Sequence, residues 1–191
     1  LRPLTDNKPK PMLPLFGKPI LEHNIDRLIS YGIENIYISI GYLGQQIIDY
    51  FGDGSSKGIS IKYIWDEKPL GTAGALSLVK TFETDYVLVM NSDLFTDADF
   101  EELYMNIIDK KACFGAASIS HNFNVPLGVF SEKDKYINGL KEKPTFTNHA
   151  NAGIYIFKKE LTKLIPHNLF CNVTDLINLL IENKEIVIHN P

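Results

Sequence analysis

Three short stretches of this chain hold residue types and spacings suited to binding phosphates and a cation. Residues 85–90 (DYVLVM) form an almost unbroken apolar run that leads into Asn91, Ser92 and Asp93. Such a run reads as a strand covered on both faces, and in open α/β sheets ligands collect beyond the carboxyl ends of strands. Asp93 is therefore placed as a hard oxygen ligand for Mg²⁺, which typically takes one or two carboxylates plus substrate phosphates. An aspartate that merely opens the next loop explains the same residue equally well. In residues 67–76 (EKPLGTAGAL), Pro69 stiffens a loop while Gly71 and Gly74 let backbone come close to a flat or charged ligand. Thr72 is placed to cap a following helix and leave its N–H groups facing a phosphate or a base. Lys10 stands between Pro9 and Pro11, which hold its backbone extended and aim its side chain. A preorganised lysine suits charge developing on a transferring phosphoryl group; Lys8 and Lys18 read as ordinary solvated lysines.

The elements that must position these residues follow from periodicity. Residues 19–32 place Ile20, Leu21, Ile25, Leu28 and Ile29 on one helical face and stop at Gly32. NIYISI (35–40) and ISIKYIW (59–65) are strand-like, LGQQIIDYFG (43–52) and TAGALSLVKTF (72–82) helical. A helix follows in 97–110, with Thr96 and Asp99 spaced like a capping box. The alternation predicts a Rossmann-like, doubly wound, mostly parallel α/β sheet. Past residue 111 strand-like pieces follow one another without helices, then come two helical stretches (158–165 and 173–184) and a last strand in 185–190. A mixed or antiparallel extension is expected there, within a single domain of two halves, 1–110 and 111–191.

Composition narrows the partners. At 191 residues, with a net charge of −4, the chain is sized for one domain and lacks the broad basic surface that nucleic acid or an anionic membrane would demand. Positive charge is dense only at Arg2, Lys8, Lys10 and Lys18, which suits a small anionic ligand. No apolar run reaches membrane-spanning length, and no signal peptide is evident, so a cytoplasmic location is expected. Cys113 and Cys171 have no zinc spacing and read as reduced and structural. Histidines 23, 121, 149, 167 and 189 show no ligand spacing; His149, beside the 151 segment, is the one to watch.

Taken in order, LRPLT (1–5), PKPMLP (9–14), EKPLGTAGAL (67–76), NSD (91–93), LGVF (127–130), EKP (142–144) and NAGIY (151–155) resemble the sugar-1-phosphate nucleotidyltransferases, also called nucleotide-sugar pyrophosphorylases. The resemblance spans nearly the whole chain. It implies a GT-A-like nucleotide-diphospho-sugar transferase fold and the reaction of a nucleoside triphosphate with a sugar 1-phosphate. By the same resemblance Lys10 and Asp93 are catalytic, Asp93 holding Mg²⁺. Glu67, Leu70, Gly71, Thr72 and Gly74 would line the nucleotide pocket, while Gly128, Glu142, Lys143, Asn151 and Gly153 would form the sugar-phosphate side. The family's glycine-rich G-x-G-T-R loop would precede Leu1, and its G-Y-W-x-D-x-G segment would follow Pro191, so a longer protein is expected. Ser92 replaces the family's glycine before the aspartate, and Leu127 stands where many relatives carry tyrosine.

A sugar phosphate with a second pKa of about 6 is largely deprotonated at neutral pH and needs no general base. Positioning and charge neutralisation suffice, in keeping with the lack of a Ser-His-Asp or Cys-His arrangement. The resemblance leans toward GTP and toward cell-surface polysaccharide precursors; a homo-oligomer is possible. Three other readings stay open. A glycosyltransferase would use Asp97-x-Asp99, although capping explains Asp99 better; a non-catalytic nucleotide-sugar-binding regulatory subunit and a phosphocholine cytidylyltransferase share the fold.

Overall fold

A computed structural model describes residues 2–66 and 68–191. After a 3-10 turn at Lys10–Met12, a tight hairpin of β1 (Pro14–Leu15) and β2 (Lys18–Pro19) leads into α1 (Ile20–Ser30). There follow β3 (Asn35–Ile40), α2 (Gln45–Phe51), β4 (Ser60–Trp65), α3 (Gly71–Gly74), β5 (Tyr86–Met90) and α4 (Phe100–Asp109). The remainder comprises β6 (Phe114–Asn124), β7 (Val129–Lys133), β8 (Tyr136–Lys141), β9 (Thr145–Lys158), α5 (Val173–Glu182) and β10 (Val187–Asn190).

β3 and β4 pair in parallel, and a second sheet runs in the order β10-β6-β9-β5. In that sheet β10 is parallel to β6, while β5 and β6 are both antiparallel to β9. The parallel pairings among the described residues are thus β3–β4 and β10–β6, and β9 makes the second sheet mixed. A slot of about 1020 Å³ separates β3 from β5, lined by Ile36 and Ile38 on one side and Leu88 and Met90 on the other, with Ile25 and Leu28 of α1 along it.

β9 shows why this is a layered α/β fold. Successive side chains of a strand point to opposite faces, and here both faces are covered. Ile154 and Ile156 join a cluster with Ile25, Ile38, Leu103 and Ile107, whereas Tyr155 and Phe157 join Phe114, Val173, Leu176 and Leu180. α4 therefore covers one face and α5 the other, and each cluster draws residues from both sides of position 110.

Several elements differ from the expectation. The helix expected over 72–82 is only four residues of α3 followed by a 3-10 turn, Ala75–Leu78; two glycines within α3 are poor helix formers. Residues 159–164 form a 3-10 turn. Asp99 alone caps α4, accepting from Glu102 N–H at 3.0 Å, while Thr96 accepts from Ala98 N–H. That capping role accounts for Asp99 without a metal. The antiparallel extension expected past residue 111 is present, and it runs further than its strand-like pieces: β6 and β9 continue past the core as a two-stranded ribbon, and the β7–β8 hairpin beyond it is almost wholly exposed.

Candidate active site

Lys10 begins the 3-10 turn rather than lying extended. Met12 N–H donates to Pro9 O at 2.8 Å and Leu13 N–H to Lys10 O at 3.1 Å. Pro11, with its fixed φ and no N–H, fits the second position of such a turn, and buried Met12 anchors it. From there the Lys10 ammonium meets the Asp93 carboxylate in an ion pair. Lys10 is about half exposed and Asp93 about a quarter, and an ion pair so wetted contributes roughly 0–1 kcal/mol to stability. The contact is therefore not needed to hold the fold, and both groups are free to engage a ligand.

Behind Asp93 the loop is pinned from two sides. Asn24 of α1, buried and polar, donates from Nδ2 to Ser92 O at 3.2 Å. Asn91 N–H donates to Gly153 O at 3.0 Å. Gly153 adopts φ +77°, and a Cβ there would lie 2.5 Å from Asn91 Nδ2. Asn151 accepts from Gly153 N–H at 2.9 Å and donates to the Tyr155 hydroxyl at 2.7 Å. The chain so joins the NSD and NAG segments, and the Asn151 amide is largely engaged in shaping its own strand. Asn24 was not legible as a site residue; an asparagine on the apolar face of an otherwise amphipathic helix was its one signal.

The 70–74 loop is held by a partner that sequence reasoning missed, the segment 169–173. Ala73 and Gly74 N–H groups both donate to Cys171 O (3.0 and 3.1 Å), and Cys171 N–H returns a bond to Leu70 O at 2.9 Å. Gly71, at φ +76°, would put a Cβ 2.6 Å from Cys171 O. Its glycine is required by that close approach of chain to chain. Thr72 Oγ1 accepts from Val173 N–H at 2.9 Å, so it caps α5, not α3, alongside the capping box of Asn172 and Asp175. Burial pushes the Cys171 thiol up from its ordinary value, which leaves it protonated and unreactive. Leu70 is buried; Glu67 lies outside the described residues.

Gly128, Glu142 and Lys143 come together at the root of the β7–β8 hairpin. A Cβ on Gly128 would lie 3.0 Å from Glu142 Oε2, and Lys143 N–H donates to Leu127 O at 3.2 Å. Lys143 holds a left-handed backbone, φ +45°, which costs a non-glycine residue about 1–2 kcal/mol.

The hairpin between the Lys10 turn and α1 has its own anchor. Lys57 pairs with Glu22 at 2.8 Å and Asp26 at 2.7 Å, and Lys18 also pairs with Asp26, so Lys18 is not merely solvated. The Lys57 hydrogen bond holds the Glu22 carboxyl below its ordinary value against burial. For Asp26 burial pushes upward, but hydrogen bonds from Lys18 and Lys57 together outweigh it.

A single carboxylate facing an ammonium is a partial donor set for Mg²⁺, and it fits an ion that keeps waters and takes phosphate oxygens for the rest of its shell. Among the described residues no group of three His, Cys, Asp or Glu side chains could cage a metal.

The pattern that defines the family described as Nucleotidyl transferase matches residues 1–187. This chain belongs to that family. It is 35% identical to the bifunctional protein GlmU of Methanococcus maripaludis over 97% of its own length and 45% of that protein. It is 34% identical to the mannose-1-phosphate guanylyltransferase of Mycobacterium tuberculosis, over 87% of the chain and 47% of that protein. The chain thus spans about half the length of these curated relatives. The crystal structure of HddC from Yersinia pseudotuberculosis complexed with GMP-PN superposes with a TM-score of 0.73 at 23% identity, covering 100% of this chain and 84% of that one. That likeness shows the fold, a Rossmann-like nucleotide-diphospho-sugar transferase architecture.

Proposed function

We propose that the intact protein is a sugar-1-phosphate nucleotidyltransferase, joining a nucleoside triphosphate to a sugar 1-phosphate with release of diphosphate. The observation that carries this reading is the Lys10–Asp93 pair beyond the carboxyl end of β5, joined through Asn91 to the Asn151–Gly153 segment. A cation and a carboxylate meet where α/β sheets bind ligands.

In this reading residues 1–110 bind the nucleotide, at Leu70, Gly71, Thr72, Gly74 and Glu67, and residues 111–191 bind the sugar phosphate. Lys10 leaves Asp93 for the α-phosphate and offsets charge as the diphosphate departs. Asp93 then holds Mg²⁺, which when bound polarises phosphate oxygens. Lys143, a compact cation at the hairpin root, takes the sugar's phosphate, and Glu142 beside it faces the hydroxyls; residues 145–150 of the ribbon lie between them and Asn151. The Ala73 and Gly74 N–H groups donate to Cys171 O, so base contacts fall to backbone elsewhere in the loop. GTP is favoured because the relatives include guanylyltransferases by name and a GMP-PN complex. A cytoplasmic enzyme supplying surface-polysaccharide precursors accords with this reading; among the described residues no helix is long and apolar enough to cross a membrane.

The test is diphosphate release by the intact protein over four nucleoside triphosphates and a set of sugar 1-phosphates, with and without Mg²⁺. Metal-dependent release with one pair, reduced on the order of 10²–10³-fold in Lys10→Ala and in Asp93→Ala, is expected. Silence across the grid while nucleotide sugar still binds would replace the enzyme reading with that of a regulatory subunit.

A further inference from the structure

Outside the candidate active site one cluster of ligating side chains stands out. His149 of β9 and His189 of β10 lie on opposite sides of β6, yet their rings meet over it, with centroids 4.8 Å apart and a 42° tilt. Each ring is steered by a serine of the intervening strand. His189 Nδ1 is 3.0 Å from Ser118 Oγ, and His149 Nδ1 is 3.2 Å from Ser120 Oγ.

The Ser118 hydroxyl has one proton and two acceptors within reach, Asn190 O at 3.2 Å and His189 Nδ1 at 3.0 Å. In the tautomer that donates from Nδ1, the hydroxyl accepts from the ring and gives its proton to Asn190 O, and Nε2 keeps a free lone pair. Ser120 has no competing acceptor among its described bonds, and its hydroxyl can accept from His149 Nδ1–H in the same way. In that tautomer each ring is oriented as metal-bound histidine is, one nitrogen held by a hydrogen bond and the other presented as a ligand. Both rings are exposed, which leaves room for water ligands.

We infer that His149 and His189 form a two-imidazole site for a borderline divalent transition-metal ion, Zn²⁺, Ni²⁺ or Cu²⁺, with water completing its shell. Imidazole selects such ions, whereas Mg²⁺ prefers oxygen; the site and Asp93 therefore take different metals. An ion held there staples edge strand β10 to β9 across β6, two residues along β9 from Asn151, at the root of the arm. This inference does not depend on nucleotidyl transfer.

The experiment uses the intact protein, free of any affinity tag and stripped with chelator, titrated with Cu²⁺ or Zn²⁺ in excess Mg²⁺. Calorimetry gives stoichiometry and affinity, and the Cu²⁺ spin-resonance spectrum reports the number of bound nitrogens. One ion per chain is expected, two imidazole nitrogens, and Cu²⁺ tighter than Zn²⁺. His149→Ala and His189→Ala should each weaken binding at least about tenfold, Ser118→Ala less, in line with ligand and outer-shell losses. His121→Ala, on the other face of β6, should change nothing. The three histidines are exposed and Ser118 is half-buried, and circular dichroism of each metal-free variant checks that it is folded. Unchanged affinity in either His149→Ala or His189→Ala, or an equal loss in His121→Ala, would overturn the site in favour of scattered surface coordination.

Discussion

The two ends of β9 are held by different physics. Its inner half, Ile154 to Phe157, is buried on both faces between α4 and α5. Its outer half, residues 145–150, is exposed on both faces, although it pairs with β6 in the same antiparallel way. There the ribbon relies on a polar ladder: Thr145 donates to Asn124 at 2.7 Å and Thr147 to Asn122 at 2.8 Å. Hydrophobic burial sets the inner register, because a one-residue slip would exchange the two clusters. Cross-strand side-chain pairs must set the outer one. Asn151 and Gly153 sit where the two regimes meet, and that is where the candidate site lies.

The strongest way to break this comparison is to truncate one aromatic ring at each end. Phe157 is fully buried and stacks on Phe114 with ring centroids 5.2 Å apart. Phe157→Ala should cost about 3–5 kcal/mol of unfolding free energy, the usual price of an aromatic cavity. Phe146 faces Phe123 across the exposed ribbon, and Phe146→Ala should cost no more than about 1 kcal/mol, the value of a cross-strand pair. Urea denaturation of both variants decides it; equal costs would mean the arm carries a core of its own.

At the junction the comparison sharpens further. Gly153→Ala forces a side chain onto a left-handed backbone and 2.5 Å from Asn91 Nδ2. A stability loss of about 1–3 kcal/mol is expected from strain and overpacking. Because Asn91 leads to Asp93, the variant should also raise the Mg²⁺ concentration needed for activity. A loss of stability with Mg²⁺ dependence untouched would separate Gly153 from the metal site.

Much of this was legible in the chain. NIYISI forms β3 residue for residue, since β-branched and aromatic residues in a short run have few alternatives. Asp93 follows the apolar strand β5 as its run indicates, but that the Lys10 side chain reaches it was not legible in the proline-set loop. What stayed hidden was contact across long sequence separations. The glycines of the 70–74 loop signalled a close approach, but nothing local says that the approaching atom is Cys171 O, about a hundred residues away. Lys18 looks solvated until the fold brings Asp26 and Lys57 beside α1. The antiparallel extension was legible, but not the reach of its ribbon over 120–124 and 145–150, because exposed strands carry no hydrophobic period to read.

The smallest effect concerns acid. Glu22 and Asp26 have carboxyls held below their ordinary values by Lys57 and Lys18, so the folded state binds protons less readily than the unfolded chain. Their contribution is fully present above the unfolded values, about 4.3 and 3.9, and is lost as pH falls through the lower folded ones. Partial exposure screens it to about 1 kcal/mol or less. Unfolding free energy should therefore decline as pH drops below about 5, and Lys57→Met should flatten that decline by releasing the carboxyls toward ordinary values. The polar ladder of the outer ribbon has no carboxyl to titrate, so backbone amides of 145–148 should keep their hydrogen-exchange protection relative to α1 over the same range. Ribbon amides that open together with α1 as acid is added would show that the two ends of β9 share one fate, and that the network at α1 reaches the arm.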